Sequence, residues 1–328
     1  MATLVTGASG FVGSLLVARL QGTGADPVRA TARDERRVRD ALRRVPGARG
    51  LTGVEVVEAD LVSGRGLPQA LADVAVAYYL VHSLEREPRN GTAFAERERR
   101  AAEHFATAAQ SAGVERVVYL GGLVPHWRGA GADADAARAR SSRHLGSREE
   151  VERILLSAIP GSVALRASII IGARSRSFRL MVRLLERMPI LALPSWRAFC
   201  TRPIDERDMI EMLASAATAP IGGSTLDVAG PDVLSYGEML RRIAEIMLVG
   251  RPSVSLPVSL TPVTARIAAA IASEDPELVV PLMEGLQGDL LPADDRAAGL
   301  LGVRLHSFDA AVEHALAEWE RHEPLAAR

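Results

Sequence analysis

Leu4-Val5-Thr6-Gly7-Ala8-Ser9-Gly10-Phe11-Val12-Gly13 places three glycines three apart, straight after an apolar run and straight before an apolar helical stretch. Glycines so spaced let a backbone approach a pyrophosphate, while the following helix offers unpaired N–H groups and the positive end of its dipole. The strand–turn–helix setting lifts this above a stray glycine triplet. The next test lies about 20 residues beyond the last glycine, at the end of the second strand, where an acid would hold the ribose hydroxyls of NAD. Arg33 stands there, in Ala32-Arg33-Asp34. A guanidinium pairs with a 2′-phosphate through charge-assisted hydrogen bonds, which favours NADP(H) and leaves NAD(H) as the alternative. Asp34 pulls the other way, and Arg36 and Arg37 fit a solvated helix face.

Composition narrows the chemistry further. All 39 basic residues of the 328 are arginine. Without lysine there is no Walker-type phosphate loop, no Schiff base and no proton relay through an ammonium group. A single cysteine, Cys200, excludes a disulfide framework and a cysteine-rich zinc site, and no metal site is expected. The 39 basic and 40 acidic residues nearly cancel, which argues against bulk neutralisation of a nucleic acid. Residues 1–18 carry no charge, but they lack a basic n-region and are broken by glycines. Pro252, Pro257 and Pro262 interrupt the uncharged stretch 252–265. The chain reads as a cytoplasmic protein with no membrane span and a small-molecule partner; its oligomeric state is not legible.

These residues need a frame. Apolar runs at Thr3–Thr6, Val28–Ala32, Val54–Glu58, Val74–Leu80, Val114–Leu120 and Val163–Ala167 alternate with helical patterns near 11–21, 34–44, 92–111 and 145–157. That alternation predicts an α/β fold, a Rossmann doubly wound parallel sheet over residues 1–170. Beyond it, helical segments near 175–188, 205–218, 236–248 and 262–272 and strand-like pieces at Thr225–Ala229 and Val254–Leu256 predict a smaller α+β substrate domain over 171–328, with some segments returning to the sheet. The low-complexity stretch Gly129–Arg140 reads as a loop.

The glycine turn, Arg33 and Ala59-Asp60-Leu61 together resemble the atypical and extended short-chain dehydrogenase/reductases. Tyr79-Leu80-Val81-His82-Ser83, Tyr119-Leu120-Gly121-Gly122-Leu123 and Leu165-Arg166-Ala167-Ser168-Ile169 resemble the NmrA-like NAD(P)H-binding branch. So do Pro281–Leu286 and Ser307–Val312. The resemblance implies that Asp60 bonds the adenine amine and Leu61 borders the ring. It places Leu80, Val81 and His82 beneath the ribose and pyrophosphate, Gly121 near the cofactor, and Ala167, Ser168 and Ile169 along the nicotinamide. Tyr78 and Tyr79 read as strand packing.

The same resemblance exposes a departure. Most of the wider superfamily uses a serine, a tyrosine and a lysine four residues after the tyrosine. Aligned on Glu150-Val151-Glu152, His144 takes the tyrosine position and Arg148 the lysine position, while Gly121 or Gly122 takes that of the serine. His144 and Arg148 share one helix face. Arginine holds a hydroxyl but relays no proton at neutral pH, whereas histidine can donate one. A neighbouring arginine depresses the histidine pKa, so two readings stand: a rebuilt catalytic pair, or a substrate contact and helix cap. Segment 174–202 carries seven arginines among apolar residues and reads as a wall over the substrate pocket or as a membrane-surface stretch. Three functions follow. The first is an NADPH-dependent oxidoreductase acting on an apolar carbonyl, quinone or enone. The second is an NADP(H)-binding redox sensor without turnover, and the third a structural or assembly subunit.

Overall fold

The computed structural model describes residues 1–24, 27–48, 52–81, 91–125, 146–255 and 288–325. Seven strands build one sheet: β1 (Ala2–Thr6), β2 (Val28–Ala32), β3 (Val54–Glu58), β4 (Val74–Tyr79), β5 (Arg116–Gly122), β6 (Val163–Ala167) and β11 (Thr225–Val228). Their order is β11-β6-β5-β4-β1-β2-β3, and every neighbouring pair is parallel. The chain leaves β1 toward β2 and β3, then crosses back to β4. The strand order therefore reverses between β1 and β4, the place where open α/β sheets bind ligands beyond their carboxyl ends.

Parallel strands need helical crossovers, and these cover both faces. On one face lie α1 (Phe11–Thr23), α2 (Glu35–Arg43) and α7 (Glu206–Ala216), which bury Leu16, Val17, Val38, Leu42, Met209 and Leu213. The other face carries α3 (Leu67–Leu71), α4 (Gly91–Ser111) and α5 (146–158), packing Leu71, Phe105, Val151 and Leu155. Local chemistry sets the ends. Asp34 accepts from the Arg36 amide to start α2, and Asp205 from the Arg207 amide to start α7. At the other end of α7, the Arg116 guanidinium takes the carbonyls of Ala216, Ala217 and Ala219 that the helix leaves open.

β11 comes from the second half of the chain yet pairs with β6, so this half contributes to the main sheet. The rest of it forms a separate apolar cluster, with α6 (Arg176–Arg187), α8 (Tyr236–Ile246) and the helix Phe308–Glu320 around Phe178, Leu185, Trp196, Tyr236 and Trp319. Short pairs knit it: β7 (Ile170–Ile171) with β10 (Ile204–Asp205), β8 (Leu191–Leu193) with β13 (Ser253–Ser255), and β9 (Cys200–Thr201) with β12 (Leu234–Ser235). The expected helix 262–272 and loop Gly129–Arg140 lie outside the described residues.

Candidate functional site

The glycine turn sits at the strand-order reversal. Gly7 has φ +67°, left-handed backbone that favours glycine, and a Cβ there would stand 2.8 Å from the Leu80 carbonyl oxygen at the end of β4. Gly13 is under a harsher limit: its Cβ would fall 2.2 Å from the Gly7 carbonyl oxygen. Gly10 is less confined, at 3.1 Å from the same oxygen, and its amide donates to that oxygen at 2.9 Å. The turn thus folds back against the first turn of α1. Gly10 caps α1 without a side-chain bond, and the helix's own first turn holds no acid to offset the positive end of its dipole. Ala8 and Gly13 are buried, whereas Gly7, Ser9, Gly10, Phe11 and Val12 keep exposed surface.

Thr6 ties this turn to β4. Its hydroxyl donates to the Tyr78 carbonyl at 2.9 Å and accepts from the Leu80 amide at 3.1 Å. One buried hydroxyl thereby fixes the spread of the two strands that flank the crevice. Leu80 and Val81 are half-buried there, and His82 lies outside the described residues.

Arg33 is exposed just past the end of β2, and its charge reaches Asp60 beyond the end of β3. Burial opposes ionisation of Asp60. Bonds from the Ser63 hydroxyl and the Val62 and Ser63 amides, with the Arg33 charge, nonetheless hold its carboxyl below the ordinary value. Asp60 stays ionised at neutral pH, and these three bonds leave one of its four lone-pair positions open. Leu61 is buried in the apolar cluster under α3 and α4.

At the far end of the crevice, Arg148 rises from the first turn of α5 toward the end of β5. A Cβ on Gly122 would stand 2.5 Å from Arg148 Nη1, so this glycine makes room for the guanidinium. Burial pushes the Arg148 pKa down, against the pull of Tyr119 and buried Glu98. Starting from a value above 12, the group keeps its charge. Tyr119 donates its hydroxyl to the Arg148 carbonyl at 3.5 Å; its ring lies tilted against that of Tyr79, which in turn meets Phe105 edge-on. Tyr78 and Tyr79 are 0% and 1% exposed, and burial drives both phenols up, away from proton transfer at neutral pH. Ala167 ends β6 and Ser168 follows it, both buried, with Ile169 half-buried beyond them. The Ser168 hydroxyl lies 3.3 Å from that of Thr201. Gly121 is half-buried, one residue before the end of β5, and His144 lies outside the described residues.

Sequence reasoning passed over Thr6, Glu98, Tyr119 and Arg174. Thr6 had a signal, as the hydroxyl residue directly before the first glycine. Glu98 had none, being one acid among several on an Arg/Glu-rich helix. In the 174–202 segment, Arg174 donates to the Ser14 hydroxyl at 2.9 Å. Arg179 and Arg183 lie 4.2 and 5.0 Å from the Trp319 ring centre and pair with Glu323. Those two arginines are therefore engaged by the C-terminal helix and its end. Among the described residues, no helix is long and apolar enough to cross a membrane.

Fold and crevice together define a Rossmann-like α/β protein with a dinucleotide-type glycine turn. Residues 3–142 match the family model "NAD dependent epimerase/dehydratase family", which supports an extended short-chain dehydrogenase/reductase likeness for that part of the chain. No curated protein matches. Among solved structures, the chain is similar to gox2253 (20% identity, 99% of each chain covered, TM-score 0.73). It is also similar to UDP-glucuronic acid 4-epimerase from Bacillus cereus in complex with UDP-glucuronic acid and NAD (16% identity, 98% and 100% covered, TM-score 0.73). UDP-glucose 4-epimerase of Thermotoga maritima, with UDP-glucose, aligns at 11% identity (98% and 99% covered, TM-score 0.70). These likenesses establish the fold.

Proposed function

We propose that this chain binds NADP(H) and is an NADPH-dependent oxidoreductase of the atypical, NmrA-like short-chain dehydrogenase/reductase type, acting on an apolar carbonyl, quinone or enone. The observation that carries the reading is the glycine turn at the strand-order reversal, where Gly7 and Gly13 have no room for a side chain. A bound nicotinamide supplies or accepts hydride. Gly7 to Gly13 and the first amides of α1 hold the pyrophosphate, and Arg33 binds the 2′-phosphate. Asp60 accepts from the adenine amine. Arg148 keeps a fixed positive charge beside Gly122, suited to holding a ribose hydroxyl or steadying negative charge on a substrate oxygen. His144, four residues earlier in the sequence, is the proton donor.

A second reading is favoured by the match of residues 3–142 to the NAD dependent epimerase/dehydratase family: a sugar-nucleotide epimerase or dehydratase using NAD, in line with the similar UDP-glucuronic acid 4-epimerase bound to UDP-glucuronic acid and NAD. One experiment separates the readings. Protein is incubated with NADPH deuterated on either nicotinamide face and a metabolite extract, and in parallel with NAD and UDP-sugars. Deuterium in a new product supports the oxidoreductase reading and gives the face of transfer. Interconverted UDP-sugars without NADPH-derived label establish the second reading in its place. Tight NADPH binding with neither outcome replaces both with the sensor reading.

A further inference from the structure

Two buried carboxylates face one imidazole where the helix Phe308–Glu320 crosses the start of α7. Glu206 and Glu318 are 4% and 6% exposed. His314 precedes Glu318 by four residues, so both project from one helix face. His314 Nε2 lies 3.6 Å from a Glu206 oxygen and 3.7 Å from a Glu318 oxygen, and one donor atom from each residue falls within 4.8 Å of the others. Both distances are longer than a normal hydrogen bond, so the three side chains stand around one point at a spacing that leaves room between them. They approach the edges of a coordination tetrahedron: ligands about 2.0–2.1 Å from a zinc-like ion stand about 3.3–3.4 Å apart.

Charge favours a cation at that point. Two ionised carboxylates carry two negative charges. The nearby guanidinium that feels both is Arg174, which donates to the Ser14 hydroxyl. Buried carboxylates are costly unless a cation or a proton answers them. Protons do so in the metal-free site, since burial pushes the Glu206 carboxyl up and the facing Glu206 carboxylate raises His314, and a bound cation takes their place. The donor set also discriminates. One imidazole and two carboxylates suit zinc and its first-row neighbours, whereas calcium wants six to eight oxygens and magnesium an octahedron of oxygens and waters. His314 is about one-third exposed, which gives an ion a way in and leaves a coordination position for water.

We propose that Glu206, His314 and Glu318 form a binding site for a divalent transition metal of the zinc kind. The metal fastens the C-terminal helix to the start of α7. Its neighbourhood reaches the cofactor side of the sheet. A Cβ on Gly172, after β7, would fall 1.9 Å from Glu206 Oε2 and 2.8 Å from the Phe11 ring, so Glu206 sits against the residue that opens α1. The site is structural in role and independent of which reaction the crevice supports.

Full-length protein freed of metal by a chelator is titrated with Zn2+ by calorimetry, and its Tm is measured with and without Zn2+. The expected result is one equivalent bound, a raised Tm, and affinity lowered at least 100-fold in both His314→Gln and Glu318→Gln. No Zn2+ uptake by the wild-type chain, or one equivalent bound equally well by folded variants, overturns the proposal. Should a variant fail to fold, Co2+ added to the wild-type protein decides. The intense visible absorption of four-coordinate Co2+ with nitrogen and oxygen donors supports the site. A weak six-coordinate spectrum, or a thiolate charge-transfer band from Cys200, overturns it.

Discussion

The two ends of the crevice are built on different principles. At the glycine-turn end, the decisive contacts are backbone against backbone: Gly7 against Leu80, and Gly13 against Gly7. At the opposite end, the decisive contact is one side chain, the Arg148 guanidinium lying beside Gly122. A backbone cradle tolerates almost no substitution, because a Cβ has nowhere to move. A side-chain site can be rebuilt with different residues while the sheet beneath it stays the same. In the proposed reading, cofactor binding is what the backbone holds firmly, and reaction type is what the side chains set. The two ends can be broken separately.

The largest effect is expected from Gly13→Val. The added carbons meet the Gly7 carbonyl, and overpacking of this kind costs about 1–3 kcal/mol, more where backbone must shift. Urea unfolding should show a loss at the top of that range, with NADPH binding abolished; Gly10→Ala, with a 3.1 Å contact, should lose under about 1 kcal/mol. Wild-type stability in Gly13→Val would mean that the turn is not packed as described.

At the other end, Arg148→Met should lower turnover roughly 100-fold, the scale on which removal of one preorganised donor acts. NADPH affinity should change little. A loss of affinity with turnover preserved would assign Arg148 to the cradle instead. Gly122→Ala sharpens the contrast, because its Cβ meets only the end of a flexible side chain. Its stability should be close to wild type while turnover falls as Arg148 is displaced.

Arg33→Ala comes next. Loss of charge-assisted bonds worth about 1.5–3 kcal/mol should weaken NADPH roughly 10- to 100-fold and leave NADH nearly unchanged in a fluorescence titration. Equal loss for both cofactors would remove the 2′-phosphate assignment. The smallest effect on cofactor choice is expected from Thr6→Val, which leaves the Tyr78 carbonyl and Leu80 amide without their shared hydroxyl. Stability should fall by about 1–3 kcal/mol, read by urea unfolding, with the preference between cofactors intact.

The legibility of the sequence follows the same division. Long elements with a strong apolar period were readable: three strands, Val28–Ala32, Val54–Glu58 and Val163–Ala167, fall at their expected bounds. Two-residue strands such as β7, β9, β10 and β12 were not, because two residues carry no period. The five-residue α3 was lost because five residues make little more than one helical turn, too short to show a 3.6-residue repeat. The helix Phe308–Glu320 could have been found. Its buried Phe308, Ala311, Val312, Ala315, Leu316 and Trp319 recur at helical spacing behind the Ser307 cap, but Ser307–Val312 was read for resemblance alone. Within the site, the glycine positions were legible because a backbone demand leaves a residue-type signature. Glu98 and the Glu206–His314–Glu318 cluster were not, since their partners are brought together only by folding across 50 and 108 positions, Glu98 to Arg148 and Glu206 to His314.

The central claim is a cradle specific for NADP(H) at one end of the crevice and a rebuilt reaction centre at the other. It is tested most directly by titrating the purified wild-type chain with NADPH and NADH side by side. The account predicts saturable one-to-one binding of both, with NADPH at least 10-fold tighter. Absence of binding, or NADH binding as tightly as NADPH, would contradict it.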